Sequence, residues 1–247
     1  MNRHPAASGC REEQKMIGVY DYTVILTYLS LISGVLGIIT AVTGVGHPEI
    51  GIFFLMVSGI LDAFDGTVAR TKKNRTEIEK NFGVQIDSLT DLICFGVLPV
   101  SIGLAQLRIS GIFTEIVRRK DYEGSYAMLI ILIVIALFYV LAALIRLAYF
   151  NATSEIRAEE ARKNGVSYYI GIPVTTSALV FPLIMVIHFL SNWDMTLFYF
   201  LTMLVMTIAF VVNIKVRKPG KLGLVIIIAI GLIEFILCIL AFGNYEG

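Results

Sequence analysis

Charge is scarce in this sequence. Only 16% of its residues are Asp, Glu, Lys or Arg, against about a quarter in soluble domains, which points away from a soluble fold and towards the bilayer. Cysteine is rare too. Cys10, Cys94 and Cys238 are an odd number set far apart, so no disulfide framework and no zinc spacing is present. Cys94 and Cys238 fall in apolar runs and read as buried thiols. Near the N-terminus no short apolar run leads to a small-residue cleavage site, and none precedes Cys10, which argues against a cleaved signal peptide and against lipoprotein processing. The net charge of +1 argues neither for nor against a nucleic-acid partner, and none is expected.

Apolar sequence is abundant: 57% of the chain is hydrophobic. A helix crossing about 30 Å of hydrocarbon needs about 20 mostly apolar residues, and seven stretches qualify: 23–45, 49–70, 83–108, 126–151, 172–191, 195–213 and 221–243. The expected fold is an all-α integral membrane helical bundle. SNWD forms a tight turn between the fifth and sixth spans, with Trp193 as an interface anchor. His47 and Pro48 form a loop before the second span, and Pro99 and Pro173 kink or start helices. Sixteen of the twenty Lys and Arg residues fall on the side that carries the N-terminus, so the positive-inside rule makes that side cytoplasmic and the C-terminus external. Residues 1–22 form a cytoplasmic segment whose CREEQKMIGVYDY stretch is either an interfacial helix or a frayed tail. TSEIRAEEARKNG, between the fourth and fifth spans, reads as a cytoplasmic helical extension.

Two stretches break the apolar pattern. LDAFDGTVAR carries Asp62 and Asp65 at the end of the second span, and GVQIDSLTDL carries Asp87 and Asp91 at the head of the third. Offsets of three and four residues put each pair on one helical face. Asp62 lies eight residues inside Arg70, about 12 Å of helix, so the acids line a cavity below the interface. An acid at a span centre costs on the order of 2.5–3.5 kcal/mol, and less toward the end. Converging like charges add repulsion, which neutralisation or a bound cation relieves. Hard divalent cations take oxygen ligands, Mg²⁺ often one or two carboxylates plus phosphates, and two metals held by four acids could close their coordination on a phosphate. Gly66 and Ala69 are small and allow close approach, and Arg70 is suited to phosphate. The competing reading pairs these acids at helix ends with Arg70, Lys72, Lys73 or Arg75. It leaves the doubling of the pattern, with Gly and Arg beside it, without a reason.

These residues resemble the signature of the CDP-alcohol phosphotransferase family, D-x2-D-G-x2-A-R, a spacer, then G-x3-D-x3-D. Asp62, Asp65, Gly66, Ala69, Arg70, Gly83, Asp87 and Asp91 fill every fixed position. The twelve-residue spacer TKKNRTEIEKNF is longer than the family's usual one, which extends the cytoplasmic turn. IDSLTDLICFGVLPV, IRLAYFN and YYIGIPVTTSA resemble stretches of the family's phosphatidylserine synthases, with Tyr149 standing where they carry Arg. Thr27, Ser30 and Gly34 follow the pattern T-x2-N-x3-G, with Ser in place of Asn. The similarity covers residues 20 to 185. It implies a core of six transmembrane helices over 23–213, with 221–243 as an additional C-terminal span, and a homodimer.

The resemblance further implies transfer of a phosphatidyl group from CDP-diacylglycerol to a hydroxyl, L-serine first, with release of CMP. It makes Asp62, Asp65 and Asp87 ligands of Mg²⁺ or Mn²⁺. Asp91 becomes the base on the acceptor hydroxyl, within touch of a metal, and Gly66, Ala69, Arg70 and Gly83 line the CDP site. Arg146 is a candidate for the acceptor's carboxylate or a phosphate, against a snorkelling role, and Asn151 is a second acceptor candidate. His188 reads as hydrogen-bonded structure. Glycerol 3-phosphate and inositol phosphate are alternative acceptors, although Tyr149 removes a cation that they would use. A cation transporter or channel would also explain intramembrane acids, but not Gly66, Ala69 and Arg70 at fixed offsets.

Overall fold

The computed structural model describes residues 17–44, 48–111, 122–164, 168–191, 193–217 and 221–245. The expected interfacial stretch up to residue 16, His47, Arg118, Arg119 and Lys120 lie outside the described residues. In chain order come α1 (Tyr22–Thr43), α2 (Pro48–Ala69), α3 (Glu77–Asp91), a π-helical turn (Leu92–Val97), α4 (Leu98–Ile109), α5 (Tyr122–Ala152) and α6 (Ser154–Asn164). After these follow α7 (Ser177–Ser191), α8 (Thr196–Val211) and α9 (Lys221–Tyr245). The structure adds one short antiparallel ribbon to the expected helices. Strands β1 (Tyr168–Ile170) and β2 (Lys215–Arg217) pair with Tyr168 opposite Arg217.

Among the described residues, four stretches are long and apolar enough to cross a membrane: Tyr22–Thr43, Ile50–Ala69, Glu77–Ile109 and Tyr126–Ala152. The fifth and sixth expected spans are shorter apolar segments, Val174–His188 and Thr196–Val211, and the seventh is covered by the 25-residue α9. The fifth is cut at its start. Pro173 is extended (φ −61, ψ 144) and opens a 3-10 turn over Val174–Thr176, so α7 keeps 15 residues, about 22 Å of helix. The third begins earlier than expected, at Glu77, because Thr76 and Glu79 close a reciprocal capping box that satisfies the first amides of α3.

Apolar residues point outward from α1, including Ile25, Leu29, Ile32 and Ile39, while it buries Thr27, Ser30, Ser33, Gly34 and Gly37 against its neighbours. That inversion suits a bilayer, where tails are as apolar as leucine and helices associate through small residues and hydrogen bonds. Ser30 Oγ donates to the Ser58 carbonyl at 3.3 Å and Ser58 Oγ donates to the Ser30 carbonyl at 3.1 Å, locking α1 to α2. A Cβ on Gly34 would come within 2.5 Å of Cys94 Sγ, so only glycine lets α1 lie this close to the π turn.

The π turn has a local cause. Pro99 has no N–H to give the Phe95 carbonyl four residues back, and the fully buried Tyr139 hydroxyl of α5 donates to that carbonyl instead at 2.8 Å. Tyr139 also meets Ser177 Oγ at 2.7 Å. Phe181 and Tyr199 stack beside it, with ring centroids 4.7 Å apart. This packing fixes the helix turn that follows Asp91.

Candidate active site

The α2–α3 loop folds back beside the start of α1. Lys72 Nζ reaches Asp21 Oδ2 at 2.6 Å and Glu79 Oε1 at 3.0 Å. Thr71 Oγ1 donates to the Tyr22 hydroxyl at 3.4 Å. The end of α2 and the beginning of α3 therefore share one end of the bundle with the start of α1.

The four aspartates converge there. Asp62, Asp87 and Asp91 each offer a carboxylate oxygen, and these oxygens lie within 4.8 Å of one another. Asp65 stands alongside, within hydrogen-bonding reach of Asp87, and accepts the Thr27 hydroxyl of α1 on Oδ2 at 3.0 Å. Asp65 and Asp91 are buried, at 8% and 9% exposure, and Asp62 and Asp87 are half-buried. Like charges at this separation repel by on the order of 3 kcal/mol per pair at an effective dielectric of about 20. Among the described residues no ion pair includes any of the four. The helix-end pairing with Arg70, Lys72, Lys73 or Arg75 is therefore absent among them. Hard oxygen donors, convergence and the lack of a protein cation together fit a divalent metal.

The glycines beside the acids carry guanidinium groups. Gly66 is exposed, and Arg70 Nη2 lies 3.9 Å from the position its Cβ would take. Ala69 is half-buried next to Arg70. On α3, Gly83 stands one turn before Asp87, and Arg75 Nη2 lies 2.7 Å from where a Cβ on it would be.

The end of α5 reaches the same helix. Asn151 Nδ2 donates to Ser88 Oγ at 2.8 Å, one residue after Asp87. Arg146 is not a snorkelling residue: it is 6% exposed. Its Nε donates to the Ile172 carbonyl at 3.2 Å, beside Gly171 at φ 74, so IRLAYFN and YYIGIPV meet in space. Arg146 also lies 5.1 Å from the Phe150 ring centroid, which Arg157 approaches at 3.5 Å. His188 Nδ1 pairs with the Trp193 carbonyl, a structural contact as expected. Sequence reasoning noticed Thr27 only as part of a pattern and gave it no role, weighed Arg75 only as an ion-pair partner of the acids, and passed over Ser88. Thr27 had a signal, since a hydroxyl at a fixed place in an apolar helix needs a partner.

Comparison with known proteins agrees with this geometry. The family model described as CDP-alcohol phosphatidyltransferase matches residues 23–242. The chain is 32% identical over 129 residues to the CDP-diacylglycerol–serine O-phosphatidyltransferase of Saccharomyces cerevisiae, covering 52% of this chain and 38% of that protein. It is 30% identical over 191 residues to the protein of the same name from Helicobacter pylori, covering 73% of this chain and 68% of the other. It is also 34% identical over 113 residues to the CDP-diacylglycerol–inositol 3-phosphatidyltransferase of Candida albicans, covering 42% and 47%. The chain thus spans well under two thirds of the yeast and Candida relatives. No solved structure matches at the same stringency. A model match over nearly the whole chain, laid on a converged four-aspartate signature, decides the matter: the chain belongs to the CDP-alcohol phosphatidyltransferase family.

Proposed function

We propose that this protein transfers the phosphatidyl group of CDP-diacylglycerol to the hydroxyl of L-serine, releasing CMP and forming phosphatidylserine. The observation that carries the reading is the convergence of Asp62, Asp87 and Asp91, with Asp65 alongside, at one end of membrane helices. Serine as acceptor is supported by the names of the Saccharomyces and Helicobacter relatives.

Asp62, Asp65 and Asp87 hold Mg²⁺ or Mn²⁺, with Asp91 at the edge of the same cluster. Bound there, divalent cations neutralise the charge that develops on the pyrophosphate and leaving CMP. Asp91 accepts the proton of the serine hydroxyl. The hydroxyl oxygen bonds to the lipid-side phosphorus, and the bond from that phosphorus to the CMP oxygen breaks with its electron pair on CMP. Gly66, Ala69, Arg70 and Gly83 line the CDP site. Arg146 and Asn151 face the acceptor's carboxylate side. The concentration of Lys and Arg at the signature end of the bundle supports a multi-pass protein of the cell membrane with its N-terminus and site cytoplasmic. In this reading 23–213 is the catalytic membrane domain, 221–243 an added span, and the working unit a homodimer.

An acceptor panel tests it. Purified protein given CDP-diacylglycerol and Mn²⁺ or Mg²⁺ should release CMP with serine. Release with glycerol 3-phosphate or an inositol acceptor but not with serine would reverse the acceptor. No release with any hydroxyl removes the enzyme and leaves a transporter. Asp91→Asn should lower turnover about 10²–10⁴-fold, and full turnover in that variant would sink the base assignment.

A further inference from the structure

We propose that Arg75, just before α3, is a second guanidinium contact for the phosphates of the nucleotide donor, the counterpart of Arg70 just after α2. The inference rests on the donor proposed above. Arg75 belongs to the long spacer between the two halves of the acid signature, not to the signature itself. The spacer folds back far enough to lay its Nη2 over Gly83, 2.7 Å from where a Cβ would stand. Gly83, Asp87 and Asp91 recur every four residues and share one face of α3. Beside the facing helix Arg70 Nη2 lies near Gly66, more loosely, 3.9 Å from the position its Cβ would take. Each glycine of the signature thus has a guanidinium beside it, and at Gly83 the missing side chain is what admits Arg75 against the helix.

Arg75 is also underused by the protein. Nη2 donates to the Glu79 carbonyl at 3.2 Å, but Nε is buried and has no partner. Its neighbouring carboxylates are already claimed, because Asp21 and Glu79 both pair with Lys72. Arginine presents five N–H donors in a rigid fork, and a buried donor left idle calls for an acceptor from outside the chain. Phosphate oxygens match that fork. Lys73, exposed in the same loop, supplies equal charge without the placement.

Full-length protein in lipid nanodiscs, with Mn²⁺ present, should be compared as wild type, Arg75→Ala, Arg75→Gln, Arg75→Lys and Lys73→Ala. The readouts are CMP affinity by calorimetry, KM for CDP-diacylglycerol, kcat and Tm. Arg75→Ala and Arg75→Gln should weaken CMP binding and raise the donor KM about tenfold or more, with kcat within about twofold. Arg75→Lys should recover part of the loss, and Lys73→Ala should match wild type. Arg75→Gln keeps a donor for the Glu79 carbonyl, so it decides the question if Arg75→Ala fails to fold. A lowered Tm with unchanged CMP affinity would overturn the proposal and leave Arg75 a structural residue. Equal losses in Lys73→Ala would also overturn it, since general charge would suffice. Wild-type protein that binds no CMP would instead overturn the donor itself, and Arg75's role with it.

Discussion

Thr27 and Asp65 form a buried hydrogen bond between α1 and α2, Oγ1 to Oδ2 at 3.0 Å. The hydroxyl takes one lone pair of the carboxylate and fixes its rotation, so the remaining oxygen points in one direction rather than sampling several. A residue outside the acid signature thereby aims one of its members.

Thr27→Val keeps the shape and removes the donor. Groups that orient metal-binding carboxylates are typically worth about 10–100-fold in metal affinity or activity. The Mn²⁺ concentration giving half-maximal CMP release should rise by that order, and stabilisation of the purified protein by Mn²⁺ in a thermal melt should weaken in parallel. Thr27→Ser should stay near wild type on both readouts.

Tyr139→Phe strands the Phe95 carbonyl that Pro99 cannot serve, and takes a partner from Ser177. Leaving a buried acceptor unmade costs about 1–3 kcal/mol. A lower Tm in detergent should accompany reduced kcat, because the π turn adjoins Asp91. Pro99→Ala in the same background should restore part of the lost stability by returning an N–H to that stretch of helix.

Asn151 is tied to Ser88 at 2.8 Å. Asn151→Ala should raise the KM for the serine acceptor several-fold with little change in that for CDP-diacylglycerol. Ser88→Ala, which removes only the tether, should show a weaker form of the same split. Equal effects on both substrates would mean that the pair merely holds α5 against α3.

The Lys72–Asp21 bridge gives a pH signature outside the membrane. The bond from Lys72 holds the Asp21 carboxyl below its ordinary value of 3.8, and the bonds to Asp21 and then Glu79 hold Lys72 above its ordinary 10.5. A lowered acid stabilises above its ordinary value and loses that contribution as pH falls through the lowered one. A raised base stabilises below its ordinary value and loses it as pH rises through the raised one. The Tm difference between wild type and Lys72→Met should therefore be flat across neutral pH and shrink toward both extremes. It should also be smaller in high salt, because exposed pairs are screened.

Much of the site was legible because its signal is local. Asp62 with Asp65, and Asp87 with Asp91, announce themselves by breaking apolar runs at helical offsets, and Gly66, Ala69, Arg70 and Gly83 sit at fixed distances from them. Helix lengths were less legible: the fifth span lost its first residues to Pro173 and the 3-10 turn after it. The β1–β2 ribbon was not legible at all, since its three-residue strands are too short to show an alternation and exist only because distant segments meet.

The sequence by itself determined that the chain lives in membrane helices and that four acids gather at one end, because composition and i, i+3 or i, i+4 spacing act within one helix. Only the tertiary structure decided which groups stand beside those acids. Thr27 on Asp65, Asn151 on Ser88, Arg75 over Gly83 and Tyr139 on the Phe95 carbonyl join residues whose meeting depends on how helices and loops pack. No periodicity along the chain encodes that packing. It follows from small side chains that let helices close up and from polar groups that must find partners where water is absent.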